Sequence, residues 1–278
     1  MTVINSNIGS LYAQQALTQN ARGLSTVMQQ LSTGKRINNA VDDVAGMAIS
    51  TRLTSQIRGL NQAVRNANDG ISLIQTAEGA TEQVTNMLQR MRELAVQASN
   101  DTNNNSDRSY LNLEFQALTS QIGNIATNTQ WNGANVLDGT GGASGVFQFQ
   151  VGANAKQTIS ITFSNMNTAS SGVLSNIDGQ SIVSTSTSGS ALSAIITALD
   201  TVSKERSNMG AVISRLQFTG DNLSNVSTKA QESLSRIQDT DYSQATTELA
   251  KRNIIQQAAQ AMLAQANQAP QLVLQLLR

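Results

Sequence analysis

LTSQIRGLNQAVRNANDGISLIQTAEGATEQVTNMLQRMRELAVQA, residues 53–98, decides the fold. Its apolar positions run Leu53, Ile57, Leu60, Val64, Ala67, Ile71, Ile74, in alternating steps of four and three. One further step of three moves the phase to Ala77, and the seam continues through Thr81, Val84, Leu88, Met91, Ala95 and Ala98. Such spacing keeps one stripe of a helix turned toward a partner, here as a heptad pattern with a single stammer. The helix is expected from about Asp43 to Ser99, roughly 85 Å at 1.5 Å per residue. Asp42 or Asp43 is placed to cap it and to favour its positive end. A rod of this length is not stable by itself and demands a lengthwise partner.

Working outward, Asn100-Asp101-Thr102-Asn103-Asn104-Asn105 carries side chains that compete for backbone hydrogen bonds, and it ends the helix. Ser106 or Asp107 is then expected to cap a second helix with the seam Leu111, Phe115, Leu118, Ile122, Ile125, antiparallel to the first. A third seam runs Leu192, Ile195, Leu199, Val202, Arg206, Met209, Ile213, Leu216, Gly220, Leu223 and on through Ser227, Ala230, Leu234 and Ile237. It supplies the lengthwise partner. Between these rods, Phe147, Phe149 and Val151 alternate with polar residues, as do Ile159, Ile161 and Phe163, which reads as a β-hairpin around Gly152–Ala155. The fold class is therefore mainly α: a long antiparallel helical bundle or coiled coil with a small β-hairpin region. Residues 168–190, rich in Ser, Thr and Gly, read as a loop or linker.

Both chain ends are amphipathic. Ile4, Ile8, Leu11, Leu17, Leu24, Met28 and Leu31 mark one; Leu249, Ile254, Ile255, Met262 and the tip Leu272-Val273-Leu274-Gln275-Leu276-Leu277-Arg278 mark the other. Chain ends are ordinarily polar and frayed, so something outside the monomer is expected to cover these.

Composition narrows the function. Lysine plus arginine number 18, as do aspartate plus glutamate, so no single-sign field draws the chain to nucleic acid or an anionic membrane. Without cysteine or histidine, thiol chemistry, most metal sites and the commonest general base are unavailable. Gly34-Lys35 lacks the rest of a phosphate loop, since Gln29 stands where a glycine is needed and Arg36 where Ser or Thr is. Asp101, Asn103–Asn105 and Asp107 lack the calcium-loop spacing, its glycine and its closing glutamate. No catalytic constellation, metal site or cofactor site emerges, and a non-enzymatic role is expected. No run of 18 apolar residues predicts a membrane span, and residues 1–20 lack the layout of a cleavable secretory signal.

Several stretches together resemble bacterial flagellins. These are Val3-Ile4-Asn5-Ser6-Asn7; Leu31-Ser32-Thr33-Gly34-Lys35-Arg36-Ile37-Asn38 with Asp42-Asp43-Val44-Ala45-Gly46; and Gln89-Arg90-Met91-Arg92-Glu93-Leu94-Ala95-Val96-Gln97. Asn132-Gly133 with Leu137-Asp138-Gly139, then Phe149-Gln150-Val151-Gly152-Ala153, and the ending Leu276-Leu277-Arg278 complete the set. The resemblance implies a subunit that polymerises with copies of itself into the flagellar filament for motility.

It also implies a layout. An inner layer, D0, would comprise residues 1–40 and 240–278, its helices pairing as a coiled coil through Ile4, Ile8, Leu11, Leu31, Leu249, Ile255, Met262, Leu274 and Leu277. A D1 layer would hold 41–167 and 191–239, with the 168–190 loop in place of outer variable domains. Gly34 and Lys35 would belong to a spoke between the layers, with Asp42 and Asp43 at the helix cap. Arg90, Leu94 and Glu114 would pack between protofilaments and match positions through which some flagellins contact the vertebrate receptor TLR5. Export unfolded through the flagellar type III apparatus would bring an export chaperone, a cap and hook-junction proteins as partners, and an extracellular filament as the location. Ser and Thr in 168–190 would be O-glycosylated or form an unmodified loop. A hook–filament junction protein and a non-flagellar coiled-coil module are the rival readings.

Overall fold

The computed structural model describes residues 6–168 and 172–276, leaving aside the side chains of 269–276. The elements are α1 (Ile8–Thr33), α2 (Val44–Ala98), α3 (Asn105–Asn128), β1 (Gln130–Trp131), β2 (Ala134–Asn135), one irregular turn α4 (Gly141–Ser144), β3 (Val146–Gln150), β4 (Thr158–Thr162), α5 (Thr185–Gln238) and α6 (Tyr242–Leu276). The chain divides into two compact units, Met1–Ile57 with Thr228–Arg278, and Arg58–Ser227. The mainly α class with small hairpins is as expected.

In the Arg58–Ser227 unit, α2, α3 and α5 share one core with the hairpins. Its largest fully buried side chains include Ile74, Leu88, Met91, Leu94, Phe115, Ile122, Leu137 and Met166. α5 runs antiparallel to α2: Ser227 Oγ donates to Asn61 Oδ1 (2.8 Å), and Arg206 Nη2 lies 3.8 Å from Glu78 Oε1. On α2 the buried stripe alternates without a break from Leu60 through Ala63, Ala67, Gly70, Ile74 and Ala77 to Ala98. The phase step expected at Ala77 lies instead at Leu60, which stands three residues from both Ile57 and Ala63, all buried. Ala63 and Gly70 hold the places assigned to Val64 and Ile71, which are half-buried beside them. A glycine adds nothing to an apolar count, yet Gly70 is covered because the hairpin closes over it. A Cβ there would stand 2.9 Å from Phe149 Cδ1 and 3.0 Å from its Cγ. Nearby, Asn66 Nδ2 donates to the Gln150 carbonyl at 3.0 Å.

The β3–β4 hairpin pairs Phe147 with Ile161 and Phe149 with Ile159, as the alternation predicts. Phe147 and Phe163 meet edge to face at 5.7 Å. β1 and β2 turn at Asn132 (φ 48°) and Gly133 (φ 79°), both left-handed, the conformation a two-residue hairpin demands. Asp138 fastens the next turn, accepting hydrogen bonds from Thr140 N (2.8 Å), Thr140 Oγ1 (2.7 Å) and Asn135 Nδ2. Partial burial works to raise its pKa, but these bonds outweigh it and hold the carboxyl below its ordinary value.

Three further expectations need correction. α3 is capped by Asn104: its Oδ1 accepts from Asp107 N (2.9 Å), while Asp107 Oδ2 accepts from Asn104 N (3.2 Å). Asp107 is thus the returning arm of a reciprocal cap, and Ser106 is not its origin. The 168–190 stretch is no simple loop, because Leu174, Ile177 and Ile182 are fully buried and α5 already begins at Thr185. Gln116 Nε2 donates to the Gln180 carbonyl (2.6 Å) and Asn112 Oδ1 accepts from Ile182 N (3.0 Å), so the small polar residues space out three aliphatic anchors. On α5 the expected Ile195, Val202, Met209, Leu216, Leu223 and Ser227 are buried, but Ala191, Ala198 and Val212 hold the places assigned to Leu192, Leu199 and Ile213, which are half-buried beside them.

Arg108, on the first turn of α3, is buried. Its Nε donates to the Ala98 carbonyl (2.9 Å) and its Nη2 to the Asn100 carbonyl (3.2 Å). α2 has no basic residue in its own last turn. Arg108 therefore supplies, from the next helix, the donors and positive charge that a helix C-terminus lacks.

Candidate assembly interface

The terminal helices pair within the Met1–Ile57, Thr228–Arg278 unit. Asn7 Nδ2 donates to the Ala266 carbonyl (2.7 Å), Asn20 Nδ2 to the Arg252 carbonyl (2.9 Å), and Tyr242 OH to the Leu31 carbonyl (3.3 Å). As one number rises the other falls by nearly the same amount, so α1 and α6 are antiparallel in one register. The half-buried or buried positions on α1 include Ser10, Ala13, Leu17, Asn20, Leu24, Val27 and Leu31. Those on α6 include Ala245, Leu249, Arg252, Gln256, Ala259, Leu263 and Ala266. Both sets step by three and four, a coiled-coil seam. At Gly23 a Cβ would fall 2.0 Å from Arg252 Nη1, so glycine admits the guanidinium. Charge is otherwise nearly absent: α1 carries only Arg22, and α6 carries none from Asn253 to Leu276.

This geometry sorts the expected terminal residues into two groups. Leu31 and Leu249 lie in the seam of the monomer itself. Ile8, Leu11, Ile255 and Met262 lie outside it, 51%, 62%, 41% and 67% exposed, together with Tyr12 and Ile254. Heptad counting on either helix cannot separate a seam within one chain from a second apolar face. Ile4 and Leu277 lie outside the described residues, as does the side chain of Leu274.

Beyond α1 the chain turns at Gly34, whose φ of 71° is left-handed and whose N–H bonds the Gln30 carbonyl. Lys35 then pairs antiparallel with Asp239. Arg36 N donates to the Gln238 carbonyl (2.7 Å) and Thr240 N to the Gly34 carbonyl (3.0 Å). The two chain strands are thereby fastened between α1 and α6. Asp42 Oδ2 accepts from Asn38 N (3.0 Å) and Asn39 N (2.8 Å), and Asp43 Oδ1 from Gly46 N (2.8 Å). Asp43 is the cap of α2, and Asp42 closes the turn before it. Gly46 has no room for a side chain: a Cβ would stand 2.6 Å from Ile37 Cδ1 and 2.4 Å from Asp43 Oδ2.

On the other unit, Arg90 Nε bonds Glu114 Oε1 (2.9 Å) and Arg90 Nη1 bonds Glu93 Oε2 (3.0 Å), joining α2 to α3. These bonds, Glu114 first, raise the pKa of an exposed guanidinium. Val96, Tyr110 and Leu113 are exposed apolar residues on the same two helices. Leu94 does not join this surface. It is 1% exposed and packs in the core, because its helix turns it inward beside Ala95. Of the three expected contact residues, only Arg90 and Glu114 are available to a partner.

Among the described residues no group of three or more acidic, histidine or cysteine side chains could hold a metal. No described helix is long and apolar enough to cross a membrane.

Family models place these helices. The bacterial flagellin N-terminal helical region matches residues 4–141, and the bacterial flagellin C-terminal helical region matches residues 192–277. The chain belongs to the bacterial flagellin family. A flagellin of Halalkalibacterium halodurans is 46% identical over 276 residues, covering 99% of this chain and 100% of that one. A flagellin of Bacillus subtilis is 41% identical over 302 residues, with 99% of each chain covered. The crystal structure of Bacillus cereus flagellin superposes with a TM-score of 0.50 at 29% identity, covering 57% of this chain and 88% of that one. A Vibrio parahaemolyticus structure described as a flagellar hook-associated protein reaches a TM-score of 0.59 at 14% identity over 71% of this chain, a likeness of fold alone.

Residues that sequence reasoning missed have a common character. Arg108, Gly46, Gly70 and Gly23 act through what they reach or what they leave vacant. A glycine gives no sign in the sequence of the bulky partner that lies against it, and an arginine in a first helical turn resembles any solvated charge.

Proposed function

We propose that this chain is a structural subunit of the bacterial flagellar filament, polymerising through its terminal helices. The observation that carries the reading is a helix pair that closes its own seam and still displays Ile8, Leu11, Tyr12, Ile254, Ile255 and Met262. Burying such residues in a neighbouring copy gains about 25 cal/mol per Å² of apolar surface. Contacts between different faces of identical subunits build an open helix instead of a closed ring. Residues 1–40 and 240–278 form the inner layer in this reading, and the α2–α3–α5 bundle forms the layer around it. The filament is extracellular, and the subunit reaches it unfolded through the flagellar type III apparatus, with a chaperone, a cap and hook-junction proteins as partners. The role is non-enzymatic.

In this reading Arg90 and Glu114 pack against a neighbouring subunit and, in the free monomer, meet TLR5; their exposure and the ion pair between them support it. Unchanged receptor signalling by the R90A/E114A chain would refute the receptor contact.

The filament reading is tested with a Leu11→Asp, Ile255→Asp chain. Both residues are exposed in the monomer, so its helical circular dichroism should persist while electron microscopy finds no filaments. Filaments of ordinary length from that chain would overturn the reading.

A further inference from the structure

Eight methionines punctuate a chain without cysteine; Met1 lies outside the described residues, and the fold treats the other seven unequally. Met91, Met166 and Met209 are buried in the α2–α3–α5 core at 0–1% exposure, and Met47 and Met87 are half-buried. Met28 on α1 and Met262 on α6 are 57% and 67% exposed. No thiol competes with them for an oxidant. In the register set by the Asn7–Ala266 and Asn20–Arg252 bonds, Met262 stands level with Leu11, itself 62% exposed. Met28 stands level with Ala245, at the opposite end of the pair.

We propose that Met28 and Met262 are the peroxide-sensitive sites of the free subunit, and that their oxidation prevents its incorporation into a polymer. This rests on the filament reading, in which the faces that carry them become buried. The thioether sulfur attacks one oxygen of hydrogen peroxide; the O–O bond breaks, an S–O bond forms, and proton transfer releases water. Sulfur loses two electrons and the peroxide gains them. The product is a polar, chiral sulfoxide in place of a flexible apolar group. Its oxygen is hydrated on the free subunit and must lose that water, without an assigned partner, when a neighbour covers the face. Only a reductase reverses the change, so a subunit oxidised before incorporation stays excluded.

The experiment uses the full chain. Dissociated subunits and preformed filaments are treated with dilute hydrogen peroxide and quenched. Peptide masses then report oxygen gained at each methionine, and light scattering reports growth on filament seeds. In subunits, Met28 and Met262 should gain oxygen roughly tenfold faster than Met91, Met166 and Met209, and seeded growth should slow roughly tenfold. In filaments both should be protected. The M28L/M262L chain should grow alike before and after treatment, and methionine sulfoxide reductase with a dithiol should restore growth to oxidised wild-type subunits. The proposal fails if oxidised subunits grow normally, if the double variant remains peroxide-sensitive, or if the reductase removes the sulfoxides without restoring growth. Absence of any polymer from untreated wild-type chain would instead sink the filament reading, and this proposal with it.

Discussion

Replacing Arg108 by Met keeps an apolar stem of similar length and deletes every donor. In the parent, Nε bonds the Ala98 carbonyl at 2.9 Å and Nη2 bonds the Asn100 carbonyl at 3.2 Å, with the side chain only 10% exposed. Hydrogen bonds from a charged donor contribute about 1.5–3 kcal/mol, and a buried carbonyl left unpaired costs about 1–3 kcal/mol. The favourable charge at the C-terminus of α2 adds about 0.3–1 kcal/mol. The nearby Asp101 carboxylate is 94% exposed and 3.5 Å away, so it adds little. These terms overlap, and a loss of about 3 kcal/mol is expected. For a unit of this size each kcal/mol moves Tm by about 2–4 °C, so R108M should melt about 6–12 °C below the parent. The assay is thermal unfolding of the monomeric full chain, followed by far-ultraviolet circular dichroism at neutral pH. R108K should recover part of the loss, and R92A, at an exposed site on the same bundle, should change Tm little. If R108M melted within about 1 °C of the parent, as a plain surface change would, the assignment of Arg108 as the cap of α2 would be wrong.

Two further outcomes follow from the same unit. Gly70→Val would drive carbon into the Phe149 ring, which already lies 2.9 Å from where a Cβ would stand; overpacking of this kind costs about 1–3 kcal/mol and should appear as a lower Tm with the helical content unchanged. Asp138 has its pKa held below the ordinary 3.8. Its stabilising contribution is complete above that value and disappears as pH falls through the lower folded-state value. The Tm gap between parent and D138N should be constant at neutral pH and shrink on acidification below the ordinary value. A gap that stayed constant there would remove Asp138 as its source.

The rods and the β3–β4 hairpin were legible because periodicity reports burial directly: period two marked Phe147, Phe149, Ile159 and Ile161, and the three-four alternation marked α2. The same counting misplaced the phase of α2 at Gly70 and Ala77, since a glycine is buried by what lies over it. It also assigned residues 168–190 to a loop, because Leu174, Ile177 and Ile182 are sparse and follow no period. Asp43 was readable as a cap from its place before an apolar run. Asn104 was obscured by a run of equivalent amides, any of which could begin α3. Of the family motif around Arg90, Arg90 itself is exposed, yet Leu94 turns inward to the core beside Ala95, an orientation that a motif match alone does not carry.

The scarcity of charge along the paired terminal helices sets the conditions such a joint tolerates. Arg22 is the one charge on α1, and α6 carries its charges, Glu248, Lys251 and Arg252, ahead of Asn253; from Asn253 to Leu276 no carboxylate or amine titrates, and there is almost no field for dissolved ions to weaken. Subunits joined through these surfaces would hold as well in brine as in fresh water, and an organism could cross between them without its propeller loosening at the axis.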